Sequence, residues 1–141
     1  MAGFKFVGSQ DRVEIPEGST LVEISSHIPF KNKAVDPFDL LSQAELISRW
    51  LYPIKSAKLN QGGKIIFLTE NGNEVAAVCT SFILGRELSL VADQFGTLTC
   101  VVARESAEVV MKVNFKILTL LPAEKRALFN DCIARLSELC A

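Results

Sequence analysis

Residues 107–139 read AEVVMKVNFKILTLLPAEKRALFNDCIARLSEL, and this stretch decides the fold. Its first half alternates. Val109, Met111, Val113, Phe115 and Ile117 fall on one side of a strand, and Val110, Lys112, Asn114 and Lys116 on the other. At Pro122 the period changes to that of a helix. Phe129, Cys132, Ile133 and Leu136, with Leu139 and Cys140 beyond, recur at helical spacing, while Glu124, Lys125, Arg126, Asp131, Arg135 and Glu138 are spread over the rest. The pattern predicts a strand from Ala107 to Leu120 and a helix from Pro122 to Leu139. A sheet that is apolar on one face must cover that face, and this helix is the long element available to do it. The Phe129–Leu136 side of the helix is therefore expected over the Met111–Phe115 side of the strand.

The segments before this stretch complete the sheet. Ser19 to Ile28 alternates with Val22, Ile24 and Ile28 on one side, and Pro29 ends it. From Ala34 to Leu51 the period is helical. Asp36 before Pro37 is one start signal; Ser42 with Glu45 three residues on is a second, of capping-box form. Two short consecutive helices are expected. Strands follow at Ser56–Asn60, Lys64–Glu70, Glu74–Leu84, Glu87–Ala92 and Thr97–Arg104. Gln61-Gly62-Gly63, Gly85-Arg86, Asp93–Gly96 and Glu105-Ser106 mark turns, and Asn71-Gly72 suggests a type I′ hairpin. Short links between consecutive strands require an antiparallel meander. The fold class is α+β: a curved antiparallel sheet of about seven strands around a long C-terminal helix, with two short helices after the first strand. Residues 1–18 are read as an N-terminal extension and 19–141 as the domain.

Composition narrows the function. The chain has 141 residues, enough for one domain with a sizeable core, and 49% of them are hydrophobic. A formal net charge of −1, with no basic stripe, argues against a nucleic-acid binder. The apolar runs are strand-sized, so membrane insertion is not expected, and Met1 to Gln10 lacks the pattern of a signal peptide. Cys79, Cys100, Cys132 and Cys140 form no CxxC pair, sit among apolar neighbours and read as reduced core residues of a cytoplasmic protein. No metal or cofactor is expected.

Three local motifs carry a resemblance: Asp36-Pro37-Phe38-Asp39-Leu40-Leu41, then Ala44-Glu45-Leu46-Ile47-Ser48-Arg49-Trp50-Leu51, then Leu59-Asn60-Gln61-Gly62-Gly63-Lys64-Ile65-Ile66-Phe67. With the element order, they resemble the START-like (SRPBCC) superfamily, which has the helix-grip fold. Within it the chain resembles the branch named after the activator of the heat-shock-protein-90 ATPase. The match spans roughly residues 19 to 140. The last helix carries Phe129 where that branch often has a second Trp near its start, and the N-terminal extension is longer than usual. The resemblance implies a cleft between sheet and last helix, and either a ligand-binding, a chaperone-associated or a cyclase-like role.

That resemblance, together with the apolar face of the sheet, favours a binding module for a small hydrophobic ligand. The expected lining is Trp50, Ile65, Phe67, Val75, Ala77, Leu88, Leu90, Cys100, Met111, Val113, Phe115, Phe129, Cys132, Ile133 and Leu136, with Ile24 and Val102 on the same inward face. This set has little hydrogen-bonding equipment, which suits an apolar guest. The competing reading is a filled core, since protein interiors close-pack. Ala77, Cys79, Ser81 and Cys100 are small residues that would leave room. Trp50 reads either as a pocket-mouth residue or as a helix anchor. His27, the single histidine, should face solvent, and Gly62-Gly63 reads as a turn or bulge. No catalytic set is expected.

Overall fold

The strand Glu108–Thr119 (β7) lies between two others, pairing antiparallel with Thr20–Pro29 (β1) on one side and Gly96–Glu105 (β6) on the other. Its two faces separate as the alternation predicts: Met111, Val113 and Phe115 are buried, while Lys116 is exposed and Lys112 and Asn114 are half-buried. The helix Pro122–Cys140 (α3) buries Phe129, Cys132, Leu136 and Cys140. The rings of Phe129 and Phe115 stack with centroids 4.4 Å apart and planes 11° from parallel. The expected contact between the helix and the inner face of the sheet is therefore present. Burying each such aromatic contributes roughly 2–3 kcal/mol.

This structure, a computed structural model, describes residues 17–141. The reading of residues 1–18 as an extension thus lies outside the described residues, except for Glu17 and Gly18. After β1 come Asp39–Ser42 (α1), Ala44–Trp50 (α2), Ile54–Ala57 (β2), Lys64–Leu68 (β3), Glu74–Ile83 (β4) and Glu87–Ala92 (β5), followed by β6, β7 and α3. The seven strands form one antiparallel sheet in the order β1-β7-β6-β5-β4-β3-β2. This is the α+β helix-grip architecture: a meander, two short helices after the first strand, and a long C-terminal helix on the inner face.

Several local expectations differ from what is observed. The second helix is not opened by a capping box: Gln43 occupies the cap without a side-chain bond, and the Ser42 hydroxyl donates to the Phe38 carbonyl at 2.9 Å instead. Bonding back one turn is the alternative a serine offers when it already sits in a helix. At the first start signal the helix begins later than expected, at Asp39 with Phe38 in the cap position and no side-chain bond there. The Asp36 carboxylate accepts the Phe38 N–H at 3.0 Å and so fixes the turn that leads into it.

The β3–β4 hairpin is not type I′. Only Gly72, at φ +78°, has positive φ; Asn71 does not. Thr69 N–H donates to Asn73 O, and Gly72 N–H donates to Thr69 O, both at 2.9 Å. The loop is thus three residues long, a type I turn followed by a left-handed glycine bulge. The strand expected at Ser56–Asn60 lies earlier, at Ile54–Ala57, because Lys58 to Gly63 turns back on itself. A Cβ on Gly63 would sit 1.9 Å from the Lys58 carbonyl oxygen, so this turn requires glycine there.

Candidate functional site

Of the residues expected to line a cavity, Trp50, Ile65, Phe67, Ala77, Leu88, Leu90, Cys100, Met111, Val113, Phe115, Phe129, Cys132 and Leu136 are buried, and Val75 and Ile133 half-buried. All but Val75 belong to one contiguous core or pack against it. Three features add large side chains to this core. First, β4 carries an irregularity between Cys79 and Ser81, so that Cys79 opposes Leu90 but Ser81 opposes Ser89. The extra residue, Thr80, reverses the facing of the rest of the strand. Ser81 therefore points outward and its hydroxyl donates to Glu87 at 2.7 Å, while Phe82 turns inward against Phe38 at 5.5 Å.

Second, Phe95, in the turn before β6, folds into the core and is 1% exposed. Its ring meets Phe67 edge-on at 6.0 Å and Phe115 at 6.5 Å. Third, Trp50 is fully buried and its indole N–H donates to the Leu40 carbonyl at 2.9 Å. That bond joins α2 to α1, so the helix-anchor reading of Trp50 describes its place better than the pocket-mouth one.

The seam between helix and sheet opens beside Glu124, Lys125 and Leu128 of α3, with Asp131 and Arg135 at its far rim. Two adjoining hollows of about 370 and 430 Å³ lie there and share Tyr52, Thr69, Glu70 and Leu128. Tyr52 stands just past α2, at the inner wall of this cleft, stacked near Phe95 and edge-on to Phe67. Burial raises its phenol pKa above the ordinary value, the neighbouring Cys132 adds to the rise, and the nearby Gln94 side chain works the other way. Lys125 Nζ donates to the Gln94 carbonyl at 2.7 Å and so ties α3 to the turn that carries Phe95. On the other side of Tyr52, Arg135 reaches toward the Leu51 carbonyl at 3.4 Å and the Cys132 sulfur at 3.5 Å.

The charges around this opening are mixed, with Arg49, Lys125 and Arg135 against Glu70, Glu124 and Asp131. The Cys132 thiol behind it is pushed up to about 11, mainly by burial and despite Arg135, and stays protonated at neutral pH. An apolar back wall with a rim able to hydrogen-bond suits an amphipathic guest.

Sequence reasoning missed Tyr52, Gln94, Phe95, Leu128 and Arg135. A signal existed for the first: the single tyrosine, set between Leu51 and Pro53, offers an apolar body with a polar tip. Elsewhere, a hollow of about 440 Å³ lies beside Phe30, Lys31 and Val109, and one of about 190 Å³ lies on the outer sheet face beside His27 and Lys112. His27 is exposed, as expected. All four cysteines are free and buried. Among the described residues no group of three or more His, Cys, Asp or Glu could hold a metal ion, and no helix is long and apolar enough to cross a membrane.

No family model matches the sequence, and no curated protein matches it. Solved structures do. A Bacillus halodurans protein superimposes with a TM-score of 0.69 at 11% identity, over 88% of this chain and 99% of that one. The AHSA1-like protein of Aeromonas hydrophila gives 0.63 at 17% identity, over 83% and 90%. The Aha1 protein of Colwellia psychrerythraea, solved as a dimer, gives 0.63 at 12% identity, over 84% and 96%. At such identities a likeness establishes architecture alone, and the chain has the helix-grip fold of the AHSA1-like proteins.

Proposed function

We propose that the chain is a non-enzymatic cytoplasmic module, spanning residues 19–141, that binds a small, mainly hydrophobic ligand between sheet and α3. The supporting observation is the pair of hollows that meet at Tyr52 and Leu128, where helix and sheet part. A ligand entering there places its apolar body against Leu68, Pro53 and Leu128 and a polar group among Arg135, Gln94 and the Tyr52 hydroxyl. Were Tyr52 and Phe95 to swing aside, Phe67, Phe115 and Phe129 would form the inner wall. Native mass spectrometry of gently purified protein, followed by a thermal-shift screen of fatty acids and aromatic polyketides, tests this. Bound mass or a raised Tm is expected. An empty chain that none of these compounds stabilises counts against it.

A second reading, a chaperone-associated interaction module, draws on the exposed leucines. Leu21 and Leu118 oppose each other across β1 and β7 and are each 49% exposed, with Leu120 and Leu121 more open still just beyond. The structural likeness to AHSA1-like proteins points the same way. A pull-down with a chaperone of the heat-shock-protein-90 class, with its ATPase rate as readout, separates this reading from the first.

A further inference from the structure

The sheet ends in two very different edges. β2 is four residues long, irregular between Ile54 and Ser56, and carries Lys55 in an ion pair with Glu74. Shortness, a bulge and an edge lysine are among the features that keep an edge from pairing with another chain. β1 has none of the three. It runs ten residues in unbroken register against β7, from Thr20 opposite Thr119 to Pro29 opposite Val110.

The phase of its hydrogen bonds is fixed by Phe30 N–H, which donates to Val109 O at 2.9 Å. Antiparallel ladders bond every second residue, so the even-numbered residues of β1 face β7 with their N–H and C=O groups. Leu21, Glu23, Ser25 and His27 aim theirs away from β7, and among the described residues no backbone hydrogen bond reaches them from that side. All four are exposed. Pro29, next in the series, has no N–H to leave unpaired, as edge positions favour.

We infer that β1 is an interface for a second copy of this chain, joined β1 to β1 in antiparallel register about a two-fold axis at Ser25. In this register Ser25 opposes Ser25, Leu21 opposes Pro29, and Glu23 opposes His27 at both ends. On the order of six main-chain hydrogen bonds form between bonded pairs. A carboxylate faces an imidazole twice, and the half-buried Ile24 gains cover from the partner strand. A shift that sets Glu23 against Glu23 places like charges together, which selects against it. The register is thus written in the strand by the symmetric placing of Glu23 and His27 about Ser25.

Sedimentation velocity of the full chain over a concentration series tests this, with His27→Glu and Glu23→Lys as variants. The wild type is expected to dimerise. His27→Glu sets carboxylate against carboxylate and raises the dimer Kd about tenfold or more. Its fold is kept, because Lys112 lies opposite on β7. Glu23→Lys alone also weakens the dimer. Mixing the two variants restores association as a heterodimer, since each Glu then meets His or Lys. A chain that stays monomeric even at millimolar concentration, as when another segment of the same chain takes the edge, overturns the inference. So does a dimer whose Kd His27→Glu leaves unchanged.

Discussion

The two halves of α3 meet the molecule in different ways. From Phe129 to the C-terminus the inner face of the helix is sealed. Phe129, Cys132, Leu136 and Cys140 are all within 1% of full burial, and the loop after β1 closes the helix end. There Lys31 and Asn32 donate their N–H groups to Cys140 O at 2.8 and 3.0 Å, and Asn32 Nδ2 donates to Leu139 O at 2.9 Å. The last carbonyls of a helix lack partners of their own, so this loop satisfies them. The N-terminal half has no side-chain cap, its inner residues Lys125 and Leu128 are only half-buried, and the cleft opens beneath it. One helix thus serves as an anchor at one end and as one wall of an opening at the other. Stability should be concentrated in the first and binding in the second.

The sharpest way to break that division is Phe129→Ala. It removes the ring stacked on Phe115 at the junction of the two halves, and a large-to-small change at a sealed site costs about 3–5 kcal/mol. Urea unfolding measures it. A loss below about 1 kcal/mol would mean the sealed half is not the anchor.

The thiols of the sealed half give a pH signature. Burial holds Cys132 and Cys140 at about 11, above the ordinary value of 9.0, and raises Cys100 further. A raised acid keeps its full contribution below the unfolded value. As pH climbs past that value the unfolded chain gains by ionising while the folded one does not, so stability falls until the folded value is passed. For Cys132 alone the loss between about pH 9 and 11 is on the order of 2–3 kcal/mol. The urea midpoint should fall through that range, and Cys132→Ala should flatten the fall.

Trp50→Phe tests the bond that holds the two short helices together. It leaves the buried Leu40 carbonyl without its donor and costs about 2 kcal/mol in the same urea assay. A change within about 0.5 kcal/mol would show that the indole bond contributes nothing. Asn32→Ala keeps the main-chain bonds to Cys140 but loses the side-chain bond to Leu139, and should cost about 1 kcal/mol. Amide exchange at the last turn of α3 should quicken with it.

The sealed half was the legible one. A two-residue period in β7 and a helical period in α3 each name a face, and the two faces must meet because neither can stay wet. The open half was not legible, since its residues come from irregular backbone. Phe95 looked like part of a turn between Asp93 and Gly96, and nothing local says that a turn residue will fold inward across Phe67 and Phe115. The bulge at Thr80 likewise has no mark in the chain, yet it exchanges Ser81 for Phe82 on the inner face and removes room that strict alternation would have left. Alternation reads regular strands well and cannot count an inserted residue.

The smallest stability change is expected at the opening itself. Leu128 is half-buried, lines both hollows and lies one position before the sealed Phe129. Leu128→Ala removes apolar surface that water already reaches in part, so its cost to folding should stay near 1 kcal/mol or less, well under that of Phe129→Ala. For a ligand in the cleft the same change removes one side of the apolar wall, and a compound that raises the Tm of the wild type should raise that of the variant less. These two adjacent residues, facing different halves of the seam, therefore separate the roles. Equal losses of stability at 128 and 129, with ligand stabilisation untouched, would show that the helix packs evenly along its length and that the cleft is not where the guest is held.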